Sequence, residues 1–335
     1  MHESKMKYSW QQALSDLITD PKELLEILEL DLSLLNAARA AAQIFPLKVP
    51  RGFVARMQKG NVNDPLLQQI LPLKAELQAV MGYSADPLQE SQINPLSGLL
   101  HKYHGRVLVT LTSACAVHCR YCFRRHFPYA SNNPGRRGWD SIFAYIAKDK
   151  TITEVIISGG DPLAVSDQLL KAFCEQVTQI SHVKRLRLHT RLPIVLPERI
   201  TPSFLELITA LTLTPIVVIH ANHPLEIHAS VKAVLLDLKN AGVQLLNQTV
   251  LLKGINDDLA TLINLSETLF DAGVLPYYLH LLDKVAGAAH FDLADQHAYR
   301  LHQALSERLP GYLVPRLVRD EAGKPAKTVL EFAYV

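Results

Sequence analysis

The segment Thr112-Ser113-Ala114-Cys115-Ala116-Val117-His118-Cys119-Arg120-Tyr121-Cys122-Phe123-Arg124-Arg125 decides how the rest of the chain is read. It holds three of the four cysteines, in the spacing C-x3-C-x2-C. The fourth, Cys174, stands in a stretch of helical periodicity among apolar neighbours and reads as a small buried residue. A structural zinc site takes four ligands, usually in two pairs; here the fourth would have to be His118, His126 or a remote side chain. A complete iron–sulfur site takes four thiolates. Three thiolates on one tight loop leave one iron without a protein ligand, and that open position can receive a substrate or cofactor.

Beyond this loop, short β-branched runs alternate with helical stretches. The runs cover residues 106–110, 154–157, 185–188, 215–219, 244–248 and 276–280. After the first interval, which contains the cysteine loop, they recur at roughly 30 residues, the size of a βα unit. Continuous apolar strands predict a parallel sheet covered on both faces. Polar residues close the later runs: Ser158-Gly159-Gly160-Asp161, His189-Thr190-Arg191, His220-Ala221-Asn222-His223, Asn247-Gln248, and His280 with Asp283. C-terminal strand ends are where βα barrels place their chemistry. The expectation is therefore an α/β fold, a partial (β/α)6 TIM-like barrel with its site on one face. Residues 1–100 read as an N-terminal helical region, with Asp20-Pro21, Pro50 and Asp64-Pro65 as punctuation, and residues 101–335 as the barrel.

The composition agrees. The chain has 335 residues, 48% of them apolar and 20% charged, which excludes a disordered or collagen-like polymer. Lys and Arg total 34 against 32 Asp and Glu, so a net charge of +2 gives no electrostatic footprint for nucleic acid or an anionic membrane. Four cysteines are too few for a disulfide scaffold of this length. No apolar run is long enough to span a bilayer, and the first residues lack a signal-peptide core. A cytoplasmic setting is expected, where clustered cysteines are metal ligands or catalysts rather than disulfides.

The cysteine loop after the first barrel strand closely resembles that of radical S-adenosylmethionine enzymes, as does Tyr121 before the last cysteine. The resemblance implies that Cys115, Cys119 and Cys122 hold a [4Fe–4S] cluster whose fourth iron chelates S-adenosylmethionine. The run Ser158-Gly159-Gly160-Asp161 resembles the glycine motif that approaches the methionyl amino group, where absent side chains allow close contact. Further blocks resemble the lysine 2,3-aminomutase family: 119–125, 157–163, 191–200, 220–224, 247–256 and 276–278. The likeness spans about residues 95 to 330 and looks closest to the branch that makes β-lysine for elongation factor P.

Membership implies a second cofactor, pyridoxal 5'-phosphate, and migration of the lysine amino group from C2 to C3 by a radical route. It implies that Lys324, after Gly323, carries the resting Schiff base, with Lys327 as competitor. Arg106, Lys102, Gln248 and His280 match cofactor-site positions, Lys102 standing where the family has an arginine and His280 where it has a tyrosine. His220 matches a histidine beside S-adenosylmethionine. Arg124 matches the arginine for the substrate carboxylate, and Asp283 an aspartate for its ε-ammonium; Asp320 stands near a second such aspartate. The implied partners are lysine, an electron donor such as flavodoxin or ferredoxin, and an elongation factor P lysyl-ligase, with a homo-oligomer left open. The competing readings are an aminomutase for another amino acid or for free-lysine metabolism, an RNA-modifying radical enzyme, and a zinc-binding structural protein.

Overall fold

The computed structural model describes residues 9–90, 93–129 and 132–330. Every predicted strand is present, and five more are added, three of them in the main sheet. β1 (Leu17–Ile18) and β2 (Val49–Pro50) form a small antiparallel pair. The main sheet has nine strands: β3 (Leu99–Tyr103), β4 (Arg106–Thr112), β5 (Glu154–Gly159), β6 (Arg185–Thr190), β7 (Thr214–Ile219), β8 (Gln244–Val250), β9 (Leu275–His280), β10 (Arg316–Arg319) and β11 (Thr328–Val329). They lie in sequence order. β4 to β10 are parallel, whereas β3 and β11 are antiparallel edges. This is a partial barrel with an open seam between β3 and β11.

Side chains rather than backbone cross that seam. Lys102 and Tyr103 at the end of β3 both bond the Asp320 carboxylate just past β10, Tyr103 Oη at 2.8 Å.

Between the strands run α6 (Trp139–Lys148), α7 (Asp167–Thr178), α8 (Leu192–Val195), α9 (Pro202–Thr209), α10 (Ala229–Asn240), α11 (Leu259–Asp271) and α12 (Asp295–Arg308). Their starts are capped in the ordinary way: Ser166, Thr201 and Asp258 accept from backbone N–H groups of the first turn. One expectation needs refinement. β5 is buried along its whole length, but β6 alternates, with Leu186 and Leu188 in the core and Arg185, Arg187 and His189 on the other face. A barrel strand buries one face against helices and turns the other inward. Here the inward face is polar because it lines a cavity.

The N-terminal region forms α1 (Trp10–Ser15), α2 (Pro21–Ile27), α3 (Leu35–Ile44), α4 (Arg51–Val54) and α5 (Pro65–Gln68). It shares the barrel's core, since Trp10, Leu24, Phe53 and Leu66 belong to the same buried cluster as Val155, Phe173 and Leu186. Cys174 lies in that core, 1% exposed. The region also grips the cysteine loop: His118 N–H donates to Lys48 O and Arg120 N–H to Gln69 O, each at 2.9 Å. Glu76 joins it through two buried ion pairs, to Arg120 at 2.6 Å and Arg125 at 2.7 Å. Arg125 is thus scaffold.

Candidate active site

A cavity of about 940 Å³ occupies the barrel interior and its C-terminal mouth. Sites for drug-sized ligands are roughly 300–1,000 Å³. The three loop cysteines line one end of it. Burial pushes the Cys122 thiol up to about 11 and the Cys115 thiol well above its ordinary range. Thiolates there need cationic ligands to offset desolvation, as a metal centre would provide.

The glycines hold the loop in place. Gly160 N–H donates to Thr112 O at 2.7 Å and Asp161 N–H to Ala114 O at 2.8 Å. A Cβ on Gly160 would stand 2.3 Å from Ala114 O, and one on Gly159, whose φ is +124°, would stand 2.3 Å from Thr112 O. The Asp161 carboxylate is fully engaged: it accepts from Thr190 Oγ1 and from the N–H groups of Leu163, Arg191 and Leu192. Burial still pushes it up to about 6. The expectation that Asp161 binds a cofactor is corrected; it ties the end of β5 to the turn after β6.

Arg124 lies on the cavity wall. Its Nε and Nη2 donate to both oxygens of Glu90 at 2.7 Å each, and its Nη1 to Ser158 Oγ at 3.3 Å. A guanidinium has five N–H donors. Three are used, and two remain, one on Nη1 and one on Nη2, to donate to a second carboxylate.

The acids lie elsewhere on the cavity wall. Burial, reinforced by nearby Asp320, pushes the Asp283 carboxyl up to about 7. Asp320 goes the other way: burial opposes its charge, but the ammonium groups of Lys327 and Lys102 hold it well below the usual carboxylate range. Lys327 and Asp320 both line the cavity.

Lys324 does not. It is exposed, beside Gly323 at φ +75° in the turn between β10 and β11, so the choice of Lys324 is corrected in favour of Lys327. The chain reverses at that turn, and only on the return leg does it re-enter the cavity. Lys102, expected at the cofactor phosphate, lines the cavity and spends one ion pair on Asp320.

Arg106 faces the lower cavity, its guanidinium 4.7 Å from the Tyr103 ring centroid. Pairing sets it level with Glu154 and Arg185 on β5 and β6. Arg187 bonds Glu154 at 3.0 Å, while its Nε has no partner. Gln248 Nε2 meets His220 Nε2 at 2.9 Å. Burial lowers His220 to about 3, and it lowers His189 and His280 well below their ordinary value, so all three imidazoles are neutral. His189 Nε2 and His280 Nε2 are buried without partners.

Orphaned polar atoms facing a large cavity fit a polar ligand. The residues therefore suit the phosphate and ring of pyridoxal phosphate, just as the glycine-braced cysteine loop suits a cluster. Sequence reasoning missed Glu90, Arg187 and Glu154, and marked His189 only as part of a polar strand end. The alternation of Arg185, Arg187 and His189 with leucines was the available signal.

A partial parallel barrel with a three-cysteine loop after its first parallel strand defines a radical S-adenosylmethionine enzyme. Residues 104–191 match the family model described as a 4Fe-4S single cluster domain. The chain is 48% identical to the L-lysine 2,3-aminomutase of Escherichia coli (strain K12), over 96% of this chain and 94% of that one. It is 45% identical to that of Haemophilus influenzae, over 96% and 95%. With the Clostridium subterminale enzyme of the same name, identity is 35% over 84% of this chain and 68% of the relative. The chain belongs to the L-lysine 2,3-aminomutase family. No helix among the described residues is long and apolar enough to cross a membrane.

Proposed function

We propose that the protein converts L-lysine to β-lysine in one cavity that brings together the cluster cysteines, a Schiff-base lysine and a charge pattern complementary to lysine. That pattern carries the reading. Two donors of Arg124 are left for a carboxylate, and two acids face the cavity to receive an ammonium, Asp283 directly and Asp320 in exchange for the lysine it holds at rest. A diamino monocarboxylic acid matches it, whereas glutamate would meet Asp283 and Asp320 with its second carboxylate.

When bound, the cluster with S-adenosylmethionine supplies the hydrogen-abstracting radical and pyridoxal phosphate supplies the conjugated ring over which the migrating nitrogen is carried. Cys115, Cys119 and Cys122 would hold the cluster. Lys327 would hold pyridoxal phosphate, supported by its place on the cavity wall beside Asp320. Arg106, Arg187, Gln248, His189 and His280 would surround its phosphate and ring, with His220 towards S-adenosylmethionine. Arg124 orients the substrate carboxylate. Asp320, paired with Lys327 at rest, passes to the substrate ε-ammonium, with Asp283 as second acceptor. The apolar part of the wall, including Leu108, Ile156, Leu246 and Val318, excludes water from the radical chemistry.

The test is product analysis. The anaerobically reconstituted enzyme is incubated with lysine, arginine or glutamate, and β-lysine forms from lysine alone. No β-lysine from an enzyme with full cluster and pyridoxal phosphate would sink the reading. Three further proposals rest on the family resemblance: a cytoplasmic setting, a flavodoxin or ferredoxin as electron donor, and delivery of β-lysine to the ligase that modifies elongation factor P. Deleting the gene and weighing elongation factor P tests the last; unchanged mass overturns it.

A further inference from the structure

Tyr121, Arg191 and Asn222 have no role in the reading above, yet they converge beneath one sulfur. Arg191 Nη1 donates to Cys119 Sγ, while its Nη2 donates to Gln69 Oε1 at 2.6 Å and Glu226 Oε2 at 2.9 Å. The Tyr121 hydroxyl donates to Gln69 Oε1 at 3.4 Å and accepts from Asn222 Nδ2 at 2.7 Å. Asn222 Nδ2 donates to Gln69 Oε1 as well, at 3.0 Å. Glu226 Oε1 in turn accepts from Gln69 Nε2 and from the N–H groups of Asn222 and His223.

None of the five side chains is more than 9% exposed, and Gln69 and Glu226 are fully buried. The Arg191 guanidinium is further flanked by the Tyr121 and Phe53 rings, at 5.6 and 5.9 Å. Four separate parts of the chain thus fix a single N–H on a single cysteine. They are the N-terminal region, the cysteine loop, the end of β6 and the turn after β7.

Such a network is costly unless its members are satisfied, and here every polar atom named above has a partner while Arg191 Nε alone of that guanidinium is buried without one. Packing alone would be met by apolar residues. What the network does hold is a donor and a buried cation against a cluster thiolate. Hydrogen bonds to ligand sulfurs and nearby charge set the potential of an iron–sulfur centre, because both favour the more negative, reduced state. In a dry interior these effects are enlarged.

We infer that Arg191 is a positioning residue that raises the reduction potential of the cluster through Cys119, with Glu226 as the opposing anion that limits the rise. This rests on the reading of Cys115, Cys119 and Cys122 as cluster ligands. Its consequence lies in the first step, when one electron must enter the cluster before S-adenosylmethionine is cleaved.

The experiment is a redox titration followed by electron paramagnetic resonance on the reconstituted full chain, with iron and sulfide counted in each sample. Arg191→Met removes donor and charge. At a fixed potential it should lower the ratio of reduced to oxidised cluster about tenfold, a shift of about 59 mV to the negative for a one-electron couple. Arg191→Lys keeps the charge but loses the three-way fork, and should shift the same way by less. Glu226→Gln removes the opposing anion and should shift the potential upward. That reversal of sign is not produced by a residue that only holds the fold.

Should Arg191→Met fail to fold, the other two variants decide. Parental potentials in Arg191→Lys and Glu226→Gln, each with parental iron, overturn the inference. Full iron and sulfide in Cys119→Ala would overturn the cluster reading instead, independently of Arg191.

Discussion

Asp283→Asn should make the protein more stable and a worse enzyme, and the two effects can be sized. The Asp283 carboxyl rises from 3.8 to about 7, first because it is buried and then because Asp320 is near. A tenfold change in an ionisation constant is 1.36 kcal/mol, so this rise puts a ceiling of about 4 kcal/mol on what the ionised group costs the folded state. Solvent at the cavity wall and relaxation bring the expected gain down to roughly 1–3 kcal/mol. The sign follows from proton binding. Between the two values the folded state holds more protons than the unfolded one, so the native protein loses stability as pH rises from about 4 to 7, and nothing further above about 8. Asparagine does not titrate. The variant's advantage should therefore be absent near pH 4, grow to pH 7 and then stay level. Denaturant unfolding of cofactor-free protein at several pH values measures it. A gain that is independent of pH, or a loss at pH 8, refutes the reasoning. The cost appears in binding: the substrate ammonium keeps only Asp320, and loss of a charge-assisted hydrogen bond, about 1.5–3 kcal/mol, raises KM for lysine about 10- to 100-fold.

Lys327→Ala should abolish borohydride trapping of pyridoxal phosphate, while Lys324→Ala traps it normally; mass mapping of the modified peptide decides, and a label on Lys324 restores the original choice. Gly160→Ala should prevent full cluster assembly, because its Cβ would lie 2.3 Å from the Ala114 carbonyl oxygen; iron per chain is the readout, and parental iron contradicts the bracing role. Arg124→Lys loses the fork that serves Glu90 and a second carboxylate at once, so KM for lysine should rise about tenfold or more while S-adenosylmethionine cleavage persists. Cleavage lost along with binding would assign Arg124 to the other cofactor.

The central strands were legible because each carries its own apolar or alternating run, β-branched in Val155-Ile156-Ile157 and Val217-Val218-Ile219 and leucine-based in Arg185-Leu186-Arg187-Leu188. The edge elements were not. β10 is four residues and β11 two, and they are strands only because β9 offers β10 a parallel partner and the turn brings β11 back. The misplaced lysine has the same origin. Gly323 marks a turn and draws attention to its neighbour, but which lysine faces inward depends on the β10–β11 register, a pairing formed in three dimensions.

Asp320 shows how far this reaches. Its partner Lys102 lies 218 residues away, and local pattern does not connect them. Together with Tyr103 they latch the open seam of the barrel, while the other oxygen of Asp320 takes Lys327. The latch and the ammonium site therefore share one carboxylate. On the proposed reading, a substrate ammonium would compete with Lys327 for one oxygen of Asp320, while the other oxygen would go on holding the seam through Lys102 and Tyr103.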